Sequence, residues 1–220
     1  MQLVYALGGR VSGALPAPKP EPRIGSFGWR CARLPFRMQS DIANQLCTSV
    51  ETPRLLLLPR MGAHADAAFG PMQDETIYQW ISLDKPPDLE AMRAHWTRNE
   101  SRLSPDGTEA WPVWAVTTRT VEALIGLVDA TVDDALVCTN LGYYFFPQFW
   151  GQGYASEAVR AIADHLVQQG IHRLVATVTV GNHASAQVLK KADFSFTRII
   201  PDNDALRGVP VDDEEYIRTA

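Results

Sequence analysis

Apolar positions in the second half of the chain switch between helical and strand spacing. Between residues 154 and 169 they recur every three or four positions, which places them on one face of a helix. These positions are Ala155, Ala158, Val159, Ile162, Leu166 and Val167. Gly170 is suited to end that helix, and the β-branched run 174–180 predicts a strand. A second helix is expected from Asn182 towards Phe194, so the order is strand, glycine turn, helix, strand, helix, strand.

The part of the chain before residue 147 predicts a different order, in which several strands follow one another. Strands are predicted at 52–60, 111–118, 123–131, 137–146 and, near the C-terminus, 212–217, with helices at 63–81 and 86–101. Asp88 is placed as the N-cap of the second of these helices. The stretch 202–210 is rich in Asp, Asn, Gly and Pro and is expected to be a loop. Antiparallel strands followed by βαβ elements indicate a mixed α/β layer structure.

Length and composition are typical of one globular domain with an N-terminal extension. The 220 residues suffice to bury a sizeable core, and the hydrophobic content of 46% is ordinary for a soluble protein. Residues 1–37 contain five prolines and no sustained periodicity. We therefore expect a disordered extension over residues 1–48 and a folded domain over residues 49–220. Met38 is a candidate for the natural start, since ordinary domain sequence begins shortly after it.

Charge and cysteine content narrow the classes of function. Residues 1–37 carry a net charge of +5 and the whole chain −5, so the remainder carries −10. This charge argues mildly against nucleic acid and for a cationic amine as substrate, although a plain acidic surface explains it equally well. Three cysteines and five histidines are scattered without ligand spacing, so neither a disulfide framework nor a metal site is expected. The chain contains no run of 18 apolar residues, so no membrane span is predicted. We expect a cytoplasmic monomer or homodimer.

The junction between the strand at 137–146 and the helix at 154–169 carries the clearest chemical signal. Gly151-Gln152-Gly153 stands directly before that helix. Glycines let the backbone approach a ligand closely, and a helix N-terminus points its N–H groups and the positive end of its dipole at the ligand. The arrangement predicts a phosphate or pyrophosphate site. Taken alone, G-x-G before a helix is equally typical of a tight turn.

Two longer motifs around this junction resemble the GNAT superfamily of N-acetyltransferases, in particular the branch that acetylates N-terminal amines of ribosomal proteins and many small amines. WGQGYASEA is similar to the pyrophosphate loop of that branch, and NHASAQVLKKADF to its N-x-x-S…L-x-K-x-G-F segment. The resemblance runs from about Thr52 to the C-terminus. It implies an α/β (α+β) GNAT fold with a mixed, mostly antiparallel central sheet of six to seven strands flanked by helices. It also implies acetyl-CoA as cofactor and direct transfer of the acetyl group to an amine.

The resemblance further implies which residues contact the cofactor. Backbone N–H groups of the loop would bind the pyrophosphate, with Trp150 standing where Gln or Arg is usual. Phe145 matches the residue whose backbone pairs with the pantetheine arm, and Asn182 matches one that binds that arm besides capping its helix. Ser185 is expected near the thioester sulfur as general acid for the leaving thiolate. The implied cofactor residues are Phe145, Trp150, Gly151, Gln152, Gly153, Tyr154, Ala155, Asn182 and Ser185.

Three positions depart from the family pattern. Asn140 stands where relatives often carry a glutamate base, and an amide cannot accept a proton at neutral pH, although it can hold the amine or a water. Deprotonation of the amine would then use Asp129 or Asp202 through water, or occur in bulk solvent. Leu189 occupies the position of a tyrosine that many relatives use as the acid. Asp193 replaces the usual glycine of the G-F pair, and aspartate tolerates a left-handed backbone better than most residues.

These departures keep a second class of function open, namely a CoA-binding sensor or partner protein with weak or no transferase activity. A dinucleotide-binding oxidoreductase is disfavoured, because the strand at 174–180 ends without an acid and Ser156 replaces the third glycine. The acceptor remains open between a protein N-terminus, an amino acid, a polyamine and an antibiotic amine. Trp80 and Trp96 fit core packing or a wall of the acceptor site, and Glu157 fits a partner of the helix dipole.

Overall fold

Strands with alternating faces build one sheet of eight strands in the computed structural model, which describes residues 38–220. In chain order the strands are β1 (Val50–Glu51), β2 (Leu55–Pro59), β3 (Val113–Thr118), β4 (Leu124–Val132), β5 (Cys138–Phe145), β6 (Arg173–Thr179), β7 (Ser195–Leu206) and β8 (Val209–Thr219). Their order across the sheet is β1-β2-β3-β4-β5-β6-β8-β7. All neighbours are antiparallel except β5 and β6. The mixed, mostly antiparallel sheet is confirmed, with eight strands in place of the expected six to seven.

Within residues 38–220, five α-helices flank the sheet. They are α1 (Ser40–Leu46), α2 (Ala65–Phe69), α3 (Leu89–Arg98), α4 (Tyr154–Gln168) and α5 (His183–Lys191). Short 3₁₀ turns cover Gly62–His64, Pro71–Gln73, Glu75–Gln79, Asn99–Ser101 and Pro147–Phe149. The predicted N-cap of α3 is confirmed, since the Asp88 carboxylate accepts a hydrogen bond of 2.7 Å from the N–H of Ala91.

Each face of the sheet is covered by its own hydrophobic core. On one face α1, α4 and α5 bury side chains such as Ile162 and Leu189. On the other face α2, α3 and the 3₁₀ turns bury Met92 and Trp96. Because successive strand residues point to opposite faces, β5 contributes Phe145 to the first core and Tyr144 to the second. Strand β5 therefore lies between the two cores.

The folded domain includes α1, which precedes the boundary expected at residue 49. Met38, Ala43 and Leu46 are buried in the core. The carbonyl of Leu46 lies 2.8 Å from Nε2 of His165, so α1 is also joined to α4 by a polar contact. The disorder expected over residues 1–48 does not hold for residues 40–46, which form α1, and residues 1–37 lie outside the described residues. The start proposed at Met38 stays a prediction.

The predicted helix 63–81 is wrong as a single element. Helix α2 ends at Phe69, and two further 3₁₀ turns carry the chain onwards. Pro71 is the physical reason, because proline has no N–H to donate and its ring clashes with the carbonyl four residues earlier. The broken path brings Trp80 across to the turn before α5, where a Cβ on Gly181 would lie 3.7 Å from the indole ring.

The predicted loop 202–210 is also wrong, because β7 and β8 form a hairpin there. The two turn residues, Arg207 and Gly208, have φ values of 54° and 79°, as a tight two-residue hairpin turn requires. The pairing of β8 with β6 covers only Asp213–Thr219. The tip of the hairpin therefore extends beyond β6, so its polar residues stay in contact with water.

Two expected absences can be compared with the described part of the chain. Among residues 38–220, no helix is both long and apolar enough to cross a membrane. The same residues form no group of three or more His, Cys, Asp or Glu side chains that could hold a metal ion.

Candidate functional site

An opening in the sheet separates the two parallel strands. Strands β5 and β6 pair only through Cys138 and Leu174. Beyond this pair β5 continues to Phe145 without β6 as a partner, while β6 stays paired with β8 on its other side. The main chain of β5 beyond Cys138 therefore faces a gap. An extended ligand can enter such a gap and hydrogen-bond to the strand as an added strand does.

Phe145 lies at the end of β5, seven residues beyond the single pairing of β5 with β6 at Cys138. The N–H of Phe146 donates to Ile125 on β4, so the N–H and C=O of Phe145 point the other way, towards the gap. The carbonyl of Phe145 accepts a hydrogen bond of 2.6 Å from the indole N–H of Trp150. The ring of Phe145 is buried, so the core interpretation holds, while pairing with a pantetheine arm remains a prediction.

The loop after β5 leads directly into an uncapped helix. Gly151 and Gly153 have φ values of 73° and 80°, which lie in the left-handed region that glycine adopts without strain. Gly153 is the N-cap of α4 and offers no side-chain cap. The first N–H groups of this 15-residue helix are thus oriented towards the loop, as an anion site requires.

A cluster of polar contacts fixes that loop from behind. The carboxylate of Glu157 accepts hydrogen bonds of 2.6 Å from both Thr52 Oγ1 and Arg54 Nε. Arg54 also donates to the carbonyl of Gln152 at 3.0 Å and lies 4.6 Å above the ring of Tyr154. Burial alone would raise the pKa of Glu157, but these hydrogen bonds outweigh it and hold the pKa below its ordinary value. Glu157 therefore links the residues leading into β2 to the loop. Sequence analysis missed both this role and the contribution of Arg54.

Ser185 is held in place by two elements. The side chain of Asn182 accepts a hydrogen bond of 3.1 Å from the N–H of Ser185, so Asn182 is the N-cap of α5. The hydroxyl of Tyr143, on β5, lies 2.7 Å from Ser185 Oγ and donates to the Ser185 carbonyl at 3.0 Å. Burial raises the pKa of Tyr143 well above its usual value, so its hydroxyl stays protonated. Sequence analysis missed Tyr143, which directly follows Gly142 on β5.

The face of the sheet covered by α2 and α3, which we call the acceptor side after its expected role, carries two of the three predicted candidates for handling the amine. Asn140 is half-buried on β5, and Asp129 lies on β4 opposite Gly142. Burial raises the pKa of Asp129 to about 6, against a smaller lowering effect of Arg60. Asp202, the other candidate acid, is exposed on β7. Of the two acids, only Asp129 lies next to the strand that borders the gap.

A narrow cavity of about 30 Å³ lies on this same side of the sheet. It is bordered by α3, by the segment before it and by β5. Its lining residues include Met72, Asp84, Pro86, Met92, Trp96 and Tyr144. Trp96 is almost fully buried, so the core interpretation is correct for it. Trp80, which is half-buried, lies against the turn before α5 and so next to the gap.

Comparison with known proteins identifies relatives among the acetyltransferases. A family model described as "Acetyltransferase (GNAT) domain" matches residues 54–195. The protein "Uncharacterized N-acetyltransferase YoaA" of Bacillus subtilis (strain 168) is 24% identical over 170 residues, which cover 76% of this chain and 94% of the relative.

Two solved structures are similar in fold. The ribosomal L7/L12 α-N-protein acetyltransferase RimL, in complex with coenzyme A, has a TM-score of 0.68 at 20% identity, over 78% of this chain and 97% of its own. The microcin C7 self-immunity acetyltransferase MccE, in complex with acetyl-CoA and AMP, has a TM-score of 0.66 at 15% identity, over 77% and 94%. The match of the family model to well over half of the chain, with the sheet and loop described above, shows that the chain belongs to the GNAT family of acetyltransferases.

Proposed function

We propose that this acetyltransferase transfers the acetyl group of acetyl-CoA to a primary amine by direct attack of the amine on the thioester. The observation that carries the proposal is the gap between β5 and β6, which ends at the uncapped N-terminus of α4. This combination suits a ligand with an extended, hydrogen-bonding arm and a pyrophosphate. Coenzyme A and acetyl-CoA have both features, and they are the ligands named for the two structural neighbours.

The cofactor would bind along β5 and around the loop. Backbone N–H groups from Gly151 to Ala155 would hold the pyrophosphate, while the main chain at Phe145 and the amide of Asn182 would hold the arm. The indole of Trp150, which is half exposed, would cover the arm where it leaves the loop. In this arrangement the thioester reaches the middle of β5.

The chemistry would take place at that point of β5. Backbone N–H groups of the strand would polarise the carbonyl oxygen and stabilise the charge that develops on it. The amine would approach from the acceptor side of the sheet. Ser185, on the opposite side, would give its proton to the sulfur as the C–S bond breaks.

The acceptor is proposed to be a protein N-terminus or a small-molecule amine. RimL is named as an α-N-protein acetyltransferase of a ribosomal protein, while MccE is named as a microcin C7 self-immunity acetyltransferase and is in complex with AMP, a small molecule. Both neighbours share the fold of this chain at low identity, so each supports one of the two acceptor classes. The net negative charge of the described domain favours a cationic amine in either class.

A CoA-binding sensor with little transferase activity is the second candidate. The observation that favours it is Asn140, whose amide cannot act as the base that relatives often carry at this position. The two functions differ in one respect only, since both require binding of CoA but only the enzyme releases its thiol in the presence of an amine.

Thermal unfolding with ligands followed by an amine screen tests both candidates. Acetyl-CoA and CoA, but not NADH, are expected to raise the free energy of unfolding, by about 2.7 kcal/mol at 100 times the dissociation constant. Thiol release is then measured with free-N-terminus peptides, amino acids and polyamines. Release with one of these amines identifies the enzyme, and binding without release identifies the sensor. Stabilisation by NADH alone would contradict both.

A further inference from the structure

A row of side chains on the acceptor face of the sheet ends at the gap. The N–H of Arg60 donates to the carbonyl of Val113 at 2.8 Å, Val113 pairs with Asp129, and Asp129 pairs with Gly142. Cross-strand partners lie side by side on the same face of a sheet. The row therefore crosses from the end of β2 to β5, where Gly142 borders the gap.

Gly142 leaves the end of this row open. A Cβ at this position would lie 2.8 Å from Asp129 Oδ1 and 3.0 Å from Oδ2, so no other residue fits there without moving the carboxylate. Asp129 thus covers the backbone of β5 where another residue would place its own side chain. Its carboxylate forms no hydrogen bond within residues 38–220, which leaves both oxygens able to accept one.

Arg60 places a positive charge at the other end of the row. Its side chain is almost fully buried, with only 4% exposed, and the guanidinium lies 4.9 Å above the ring of Trp96. Nε and Nη1 have no hydrogen-bond partner among the described residues. Burying a guanidinium with two nitrogens that form no hydrogen bond is costly, so Arg60 is stabilised by a negative charge on Asp129 and favours the ionised carboxylate.

The two faces of β5 therefore carry different proton-handling groups. Asp129 lies over Gly142 on the acceptor face, and Tyr143, the next residue along the strand, holds Ser185 on the other face. A thioester in the gap would have the carboxylate on the side from which the amine arrives. It would have the serine hydroxyl on the side towards which the thiolate leaves.

We propose that Asp129 is the general base of the transfer and that Arg60 is a positioning residue that keeps it ionised; this rests on the proposed function. Asp129 takes a proton from the ammonium group of the acceptor, directly or through one water. The neutral nitrogen attacks the thioester carbon, the C–N bond forms, and the C–S bond breaks. The sulfur takes the proton of Ser185, and the serine is reprotonated by the proton that the nitrogen loses. Asp129 returns its own proton to water, so the products are the amide, CoA as the free thiol and one proton.

Several titratable groups surround the pair and must be separated from it by experiment. They are Tyr144 and Cys138 on β5, Cys47 after α1, Glu100 in a 3₁₀ turn, His64 and His95. Burial raises the pKa of Tyr144 and of Cys138, so both stay protonated near neutral pH. Burial, with a further effect of Arg60, lowers the pKa of His95 to about 4 and lowers the pKa of His64.

The test is the pH dependence of kcat/KM for wild-type protein and for Asp129→Asn, with the amine that releases thiol fastest in the screen above. Wild-type activity is expected to rise with pH through about 6, as Asp129 ionises. Asp129→Asn is expected to lower kcat/KM at pH 7 by about 100-fold or more and to lose this rise. The remaining rate should then follow the ionisation of the amine itself. The dissociation constant of acetyl-CoA should be unchanged.

Arg60→Leu gives a second, independent readout. Removing the positive charge that lowers the Asp129 pKa should move the rise in kcat/KM to higher pH, with a smaller loss of rate at pH 8 than at pH 6. Asp129→Glu keeps the carboxylate and should retain more activity than Asp129→Asn. Asp202→Asn is the matched control, because Asp202 is exposed on β7 and its loss should leave the profile unchanged.

The outcomes separate this inference from the proposed function. If wild-type protein neither binds acetyl-CoA nor acetylates any amine, both are overturned. If wild-type protein acetylates an amine and Asp129→Asn has the same rate and pH profile, only the role of Asp129 is overturned. A loss that appears in Asp202→Asn instead would assign the base to Asp202 and would equally overturn it.

Discussion

The two sides of β5 are built by different means. On the proposed cofactor side, the loop and the starts of α4 and α5 lie within residues 145–185, and main-chain groups would provide most of the site. On the proposed acceptor side, Arg60, Trp96, Asp129 and Tyr144 come from four distant parts of the chain, and their side chains would line the site. A backbone site depends on local conformation, whereas a side-chain site depends on how distant elements pack.

The largest expected effect is on the acceptor side, where the pH dependence of the free energy of unfolding measures how strongly burial disfavours the ionised Asp129. Asp129 has a pKa of about 6 in the fold and about 3.8 unfolded, so its ionisation is disfavoured by folding. The free energy of unfolding of Asp129→Asn should therefore increase relative to wild type by up to about 3 kcal/mol between pH 4 and pH 7. Wild-type protein loses stability as pH rises through this window, because the buried carboxyl must ionise. Asp129→Asn has no group to ionise there and keeps its stability.

Chemical denaturation at several pH values measures this difference. Glu157→Gln is the comparison on the cofactor side, where the pKa is lowered and the sign is opposite. That variant should lose stability relative to wild type as pH rises to and beyond the ordinary glutamate pKa of 4.5. A difference between Asp129→Asn and wild type that does not change with pH would show that Asp129 is not strained by burial.

The second prediction concerns the acid on the cofactor side. Ser185→Ala should lower kcat about 100-fold, because the thiolate then leaves without a proton donor. Tyr143→Phe should lower kcat by about tenfold or less, since the serine remains but loses the hydroxyl that orients it. Both variants should bind acetyl-CoA like wild type in calorimetry. Equal turnover in Ser185→Ala and wild type would remove the serine from the mechanism.

The smallest expected effect tests whether the cofactor side depends on the backbone. Gly153→Ala places a Cβ at a φ of 80° in the loop, and Gly170→Ala places one at 93° after α4. Each should lower stability by about 1–2 kcal/mol through the same left-handed strain. Only Gly153→Ala should weaken the binding of acetyl-CoA, by about tenfold, because it shifts the N–H groups of the loop.

Gly170→Ala is the matched control for this measurement, since within residues 38–220 no atom beyond its chain neighbours lies within 4 Å of a Cβ at that position. Isothermal calorimetry with acetyl-CoA on both variants gives the comparison directly. Equal weakening in the two variants would mean that the loss follows general destabilisation and not the geometry of the loop.

Sequence reasoning succeeded where the structure is local. The helix after the glycine loop was predicted to within one residue of its observed end, and the N-caps Asp88 and Asn182 were identified from a short stretch around each. The succession of strands and helices between residues 111 and 194 and the layer class also followed from periodicity. These features depend on residues that are close in the chain, so the pattern contains them.

The features that sequence reasoning missed depend on contacts between residues that are distant in the chain. The hairpin of β7 and β8 was missed because its turn, Arg207-Gly208, lacks the Asn-Gly or Asp-Gly signal, and its composition is typical of a loop. Arg60 was read only as the end of a strand, because nothing near it in the chain shows that it is buried beside Asp129. Tyr143 is a strand aromatic like its neighbours until α5 is placed against it.

The position of β8 has a consequence for how the protein is made. This strand is the last in chain order, yet it lies inside the sheet between β6 and β7. During synthesis the free edge of β6 therefore has no partner until β8 emerges, and β7 alone cannot pair with it in the native order. An unpaired edge is a template for association with another chain. Until β8 is synthesised, strands β5 and β6 can therefore be present only in an open sheet, which makes this the stage most exposed to misassociation.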